Sequence, residues 1–427
     1  MVNYVRISLI SIAGILTLVS SVMANDGYFT GNRDADWALV RKNYLQDWRD
    51  PAVCSDQSLY LEQDAKNVVA KYFPPLNRRA YGFDPLTASD LASCAPAGQE
   101  NSTILSPFKS TFDLAERVDL VLATEPKDVA CIAAAQKIYG PIGKKVRCDG
   151  PDSKPVNLSR ESTPCRTEAY SLSVTRAFNL INACLDSNPR DLFKIFLKES
   201  GMTVNAVSES GAAGIGQVTE GAVVHAQGVE AGLWGSPAAK LRAQSVVKRI
   251  HGNPPPSANT PDPLCAPLRE LDQTAFTKSD PPTDCELLAM PNGVFLPMYF
   301  GAKLLTYNKA DLEYAAQKES LREVFKSDYD EMIRIAGMYG YSAAGHYRVM
   351  GAFLALGRAA RGKYQPGPEG KKKFLESLKV RISAGRSKSI AKQISNYISG
   401  VNTAGNEGAE DKYQTIKKAL GGAECFN

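Results

Sequence analysis

Glu199 stands where a carboxyl group can do proton chemistry. It lies near the end of the run NPRDLFKIFLKESG, from Asn188 to Gly201. Leu192, Ile195 and Phe196 recur at three- and four-residue spacing, and the spacing continues to Glu199. The carboxyl is therefore predicted on the apolar stripe of a helix, near its C-terminus. Apolar surroundings disfavour the ionised form, and the partial negative charge of a helix C-terminus acts in the same direction. An acid raised in this way suits the general acid step of glycosidic bond cleavage. The plain alternative is a glutamate that reaches a solvent edge or pairs with a base.

The elements that must position this group are well punctuated. Asn188 before Pro189 is a helix start signal, Asp191 places an acid in the first turn, and Gly201 is a stop. The chain then continues MTVNAVSESGAAGIGQVTEGAV, with Thr219 as a cap for another helix. Small residues at Gly211, Ala212, Gly214 and Gly216 allow backbone to approach the acid and a sugar closely. Gln217 adds an amide donor and acceptor. A tight helix connection that binds nothing is the other reading of these glycines.

Glu199-Ser200, Asn205-Ala206-Val207-Ser208, Gly211-Ala212 and Gly214-Ile215-Gly216-Gln217 form an ordered set across nineteen positions. The set resembles the glutamate-serine signature, and the glycine-alanine, glycine and glutamine positions that follow it, of soluble lytic transglycosylases in the goose-type lysozyme superfamily. LPMYFGAKLLTY, from Leu296 to Tyr307, resembles a later family helix through Gly301-Ala302 and Leu304-Leu305, with Pro297 where the family usually has asparagine. MYGYSAAGHYRV resembles the tyrosine-asparagine-alanine-glycine motif through Tyr341-Ser342-Ala343 and Gly345. Tyr341 is then the cleft tyrosine, with Tyr339 the alternative at a shifted register. Ser342 keeps a hydroxyl but lacks the amide of the family's asparagine. For either tyrosine, a core position with a satisfied hydroxyl is the structural alternative.

The resemblance covers about Arg166 to Arg358. It implies a lysozyme-like helical catalytic domain acting on peptidoglycan glycan strands, between N-acetylmuramic acid and N-acetylglucosamine. Glu199 would protonate the leaving oxygen, the 2-acetamido group of the substrate would assist departure, and the same carboxylate would then act as base to give an anhydro sugar. No metal and no cofactor are implied. Ser200, Ser208, Gly214, Gln217, Tyr341 or Tyr339, and Ser342 would bind substrate. A hydrolytic lysozyme on the same fold would need a placed water and a second carboxylate, for which Glu209 and Glu220 are near in sequence but off the motif. A non-catalytic wall-binding or assembly protein is the reading from outside enzymology. A serine or cysteine hydrolase is disfavoured: there is no nucleophile elbow, and His225, His251 and His346 are the only imidazoles.

Around this segment the chain reads as mostly α. Helical spacing runs through Leu59–Tyr72, Ala169–Leu185 and Phe374–Val401, while alternating strands are scarce. Arg6 and the apolar run Ile7–Val19, followed by Ala24, read as a signal peptide over 1–24, cut before Asn25. That implies a periplasmic or secreted protein. No later segment is apolar enough to span a bilayer. Residues 25–165 form an N-terminal accessory helical region, 166–360 the catalytic domain with a Pro-rich insertion at 252–284, and 361–427 a basic helical C-terminal region. The 427 residues carry a net charge of +5, too mild to argue for nucleic acid. The bases cluster between Arg358 and Lys392, either as a solvated helix surface or as an attraction for an anionic polymer. Nine cysteines without a C-x-x-C pair argue for disulfides over metal. Close spacing suggests Cys131 with Cys148 and Cys265 with Cys285, leaving Cys425 as the unpaired thiol.

Overall fold

The structure, a computed structural model, describes residues 29–40, 124–139, 144–146, 156–158, 168–202, 208, 212–252, 265, 268–269, 296–398 and 407–427. The proposed signal peptide, the Leu59–Tyr72 segment and most of the 252–284 insertion lie outside them. The described chain is mostly helical: α1 (Arg33–Val40), α2 (Pro126–Tyr139), α3 (Glu168–Leu185), α4 (Pro189–Ser200), α5 (Glu220–Glu230), α6 (Pro237–His251), α7 (Leu296–Lys318), α8 (Leu321–Phe325), α9 (Tyr329–Tyr341), α10 (His346–Ala360), α11 (Pro368–Ser383), α12 (Lys388–Ser395) and α13 (Ala409–Ala419). Between α2 and α3, two three-residue strands, Lys144–Val146 and Val156–Leu158, pair antiparallel with Lys145 opposite Asn157.

Two apolar cores share α7. The first gathers α2, α3, α4, α5, α6, the N-terminal half of α7 and α13 around Phe178, Phe193, Phe196 and Phe300. The second packs α8 to α12 against the C-terminal half of α7, around Phe325, Phe353 and Phe374. Both cores cross the sequence-level boundaries. α2, which precedes residue 165, is buried in the first core, and α13, beyond residue 361, lies against α4. The expected continuous helix from Phe374 to Val401 is interrupted after Ser383. Gly385 adopts φ +71°, and the Ser387 side chain accepts the Ile390 N–H to start α12 afresh.

The disulfide expectations are corrected. Cys131 pairs with Cys425, 294 positions away, and Cys184 pairs with Cys265, 81 positions away. Cys148 and Cys285 lie outside the described residues. Proximity in the chain was a poor guide because these bridges join packed elements. One ties α2 to the segment after α13; the other ties α3 to the insertion, whose Cys265 and Leu268 are buried in the first core. Cys425 is thus a structural partner, not a free thiol.

A buried polar tie sits inside the first core. Lys303 of α7 is fully buried, 2.7 Å from Glu230 of α5 and over the Tyr299 ring, and Tyr307 donates to the same Glu230 oxygen at 2.7 Å. A buried ammonium is tolerated because a carboxylate and an aromatic face meet it.

Candidate active site

α4 is built as its sequence predicts. Asn188 Oδ1 accepts the Asp191 N–H at 3.0 Å, Pro189 opens the first turn, and Gly201 ends the helix in the left-handed region at φ +62°. A side chain at Gly201 would collide with Tyr139 at the end of α2, so this stop also fixes how closely the two helices approach. Leu192, Ile195 and Phe196 are buried, while Glu199 is half-buried at the edge of the same stripe. The exposed carbonyls of the last turn are met by a base: Lys412 of α13 donates to Leu197 O at 3.1 Å and to Lys198 O at 3.4 Å. An ammonium there complements the negative end of the helix.

One phenol bonds to Glu199 and a second lies near enough to feel its charge. Tyr397, just beyond α12, donates its hydroxyl to Glu199 Oε1. Burial pushes the Tyr397 phenol well above the usual range, and the charge of Glu199 adds to this. Tyr341, the last residue of α9, donates to Gly216 O at 2.7 Å, and its phenol is likewise raised, by burial first and by Glu199 second. Both phenols therefore stay protonated near neutral pH and act as donors. Tyr341 as a whole is half-buried, but its hydroxyl lies against Gly301 of α7. A Cβ at Gly301 would come within 2.5 Å of that oxygen and 3.0 Å of the Phe196 ring. The glycine is thus required by the close approach of α4, α7 and α9.

The glycine-rich segment forms a tight turn beside these groups. Ala213 and Val218 bridge through two backbone hydrogen bonds, 2.9 and 3.0 Å, and the intervening turn has Gly214 at φ +67° and Gln217 at φ +47°. The Gln217 amide nitrogen donates to Gly214 O at 2.9 Å, so one of its two functions goes to holding the turn. Gly216 lies against α7, where a Cβ would sit 2.3 Å from Pro297 O. Ser208 also serves the loop, with its hydroxyl accepting the Ala212 N–H at 2.9 Å. Asn205, Glu209 and Gly211 lie outside the described residues.

Ser200, Ser342 and Tyr339 occupy buried positions. Ser200 is buried and donates to Phe196 O at 3.2 Å within its own helix. Ser342 is buried, donating to Tyr339 O at 2.6 Å and accepting from Ala344 N at 3.2 Å, so its hydroxyl is engaged at the end of α9. Tyr339 belongs to the second core, with burial raising its phenol, whereas the Tyr341 hydroxyl lies against Gly301 and Gly216. Glu220 is an exposed first residue of α5. Sequence reasoning missed Tyr397. Its only local signal was the apolar spacing Ile390, Ile394, Tyr397, which marks an inward face without saying what it meets.

A separate cavity of about 530 Å³ opens at the other end of α4, beside Asp186, Asp191, Arg242, Lys309, Glu313 and Arg334. Its charges are paired among themselves, Asp191 with Arg334, Asp186 with Arg242 and Lys309 with Glu313. It therefore offers no chemistry comparable to that at Glu199. Among the described residues no group of three metal-ligating side chains converges, and no helix is long and apolar enough to cross a membrane. Comparison with protein-family models, with curated proteins and with solved structures returned no match.

Proposed function

We propose that this protein is an exported lytic transglycosylase that cleaves peptidoglycan glycan strands with Glu199 as its single acid and base. The observation that carries the reading is the contact of Glu199 with Tyr397, beside Tyr341 and the Gly214–Gln217 turn, on a helix otherwise buried along that face. The Tyr397 phenol, donating to Glu199 Oε1, fixes the orientation of the carboxyl that this mechanism uses. In the first step the Glu199 proton passes to the leaving glycosidic oxygen as the C–O bond breaks, with the acetamido oxygen of the substrate supporting the anomeric carbon. In the second, the carboxylate accepts a proton from the sugar hydroxyl that closes the anhydro ring, which restores the acid. Ser208 and Gly214 shape the loop and Gln217 locks its turn, so this segment supports the site through its backbone.

Mass spectrometry of digested peptidoglycan tests the reading. Anhydro-muramic ends, absent with Glu199→Gln, are the expected product. Reducing ends would replace it with hydrolysis, and no release from any of several wall types would reject an enzyme.

A further inference from the structure

The net charge of the chain conceals a strong asymmetry. Between Arg361 and Ile398 there are ten basic residues and two acidic ones, a net +8, so the remainder of the chain carries −3 of the overall +5. Part of this charge is used internally: Lys371 meets Glu331, Lys379 meets Glu376, and Lys373 lies 3.6 Å from Glu369. Lys363, Lys372, Arg381, Arg386, Lys388 and Lys392 are exposed and form no ion pair among the described residues. They lie before and along α11, on the turn after it and on α12.

This surface is rigidly mounted and leads to the site. Phe374, Leu378 and Ile382 bury one side of α11 in the second core, and Arg348 of α10 donates to Ile382 O at 2.7 Å. On α12, Ile394 faces the core while Lys388 and Lys392, four residues apart, face solvent. Tyr397, which holds Glu199, follows directly. A chain lying along these bases is thereby placed against the segment that completes the site.

We propose that the outer surface of α11 and α12 is a docking track for a linear polyol-phosphate polymer, which holds the protein beside its glycan substrate. The assignment of that polymer to a cell wall rests on the proposed glycan-cleaving function; the binding of the polyanion does not. Charge complementarity selects an anionic partner. Three features select a flexible polymer over other polyanions. The exposed bases continue around the turn between two helices instead of lying on one helical face. Val380, 72% exposed, is the one large apolar side chain exposed on α11 and α12, so the apolar anchor that a membrane-surface helix inserts is absent from them. The aromatics of this stretch, Tyr364, Phe374 and Tyr397, are packed or half-buried and offer no stacking platform for bases.

The test uses the full chain and fluorescently labelled poly(glycerol phosphate), with binding read by anisotropy at low and high salt. The triple variant Lys372→Glu, Arg386→Glu, Lys388→Glu should bind at least about tenfold more weakly, and salt near 0.5 M should abolish parent binding, since screening at that strength acts over about 4–5 Å. A control triple, Lys248→Glu, Lys326→Glu, Lys418→Glu, alters three other exposed lysines by the same net charge and should bind within about twofold of the parent. Equal loss in both triples would reduce the effect to net charge and overturn the track. So would undetectable binding of the parent, or tighter parent binding to phosphatidylglycerol vesicles than to the polymer. Cleavage of polymer-free glycan strands is measured in parallel and should be equal in all three proteins. If none of them cleaves while the binding difference persists, the glycan reading fails and the docking track stands.

Discussion

Two carboxylates share one short helix, Asp191 in the first turn of α4 and Glu199 in the last, about 12 Å apart along the axis. Asp191 is buried against the Arg334 guanidinium, and Lys194 one turn on is held 2.6 Å from Glu410. Burial still keeps the Asp191 carboxyl above the ordinary range, with Arg334 offsetting only part of that. Glu199 is half-buried and receives a phenol. One end of the helix spends its charges on tying α4 to α9 and α13; at the other, the carboxyl accepts a hydrogen bond from the Tyr397 phenol. A third carboxyl, Asp128 of α2, is buried and accepts the Phe426 N–H at 2.8 Å, and burial raises it to about 6. The contrast separates two acids buried in the packing of the helices from one that is half-buried beside the Tyr397 phenol.

The largest expected effect comes from Glu199→Gln, which keeps size and hydrogen bonding but cannot donate or regain the proton. Glycan cleavage should fall at least about a hundredfold, with urea unfolding unchanged. Glu209→Gln and Glu220→Gln are the controls. A dead control beside a fully active Glu199 variant would move the acid elsewhere.

Asp128 should set a pH dependence of stability. Its folded value of about 6 lies above the unfolded value of 3.8. The unfolded chain therefore loses this proton first as pH rises, and stability is fully present below about pH 4 and lost through pH 6. A gap of about two pH units corresponds to about 3 kcal/mol. Urea titrations at pH 4, 5, 6 and 7 should show that decline in the parent and its absence in Asp128→Asn. Parallel curves for the two proteins would contradict the burial argument.

Tyr397→Phe removes the donor from Glu199 without changing packing. As a positioning residue it should lower kcat about tenfold and leave KM within about twofold, following the usual worth of a hydrogen bond to a charged group. A change confined to KM would place Tyr397 in substrate binding instead. The smallest effect is expected for Asp191→Asn, under about 1 kcal/mol in urea unfolding, because the burial penalty of the pair offsets most of its attraction and Arg334 can turn to water. A loss above about 3 kcal/mol would show that this pair is a main support of α4.

What was legible in the sequence was what is local. The Asn188 cap, the apolar stripe and the Gly201 stop lie within fourteen residues, and α4 follows them. Ala169–Leu185 was readable as a helix for the same reason. Tyr341 was singled out because its motif is short. Tyr397 was not, because its meaning lies in a partner 198 positions away and its own neighbourhood is dominated by lysines. The cysteine pairs failed in the same way: chain spacing measures loop length, whereas bridges form wherever packed elements bring sulfurs together. Ser342 illustrates a different demand: a serine after a helix is a good backbone cap, and its hydroxyl here bonds Tyr339 O and Ala344 N.

The reach from Glu199 to Tyr397 also places the site in time. A ribosome that has just delivered α4 must add 198 more residues before the phenol partner of Glu199 exists. At about 5–20 residues per second that interval is roughly 10–40 s. Throughout it the nascent chain holds its acid without the group that positions it, so assembly of this contact is a late event in the synthesis of the molecule, and a chain arrested before Tyr397 lacks it.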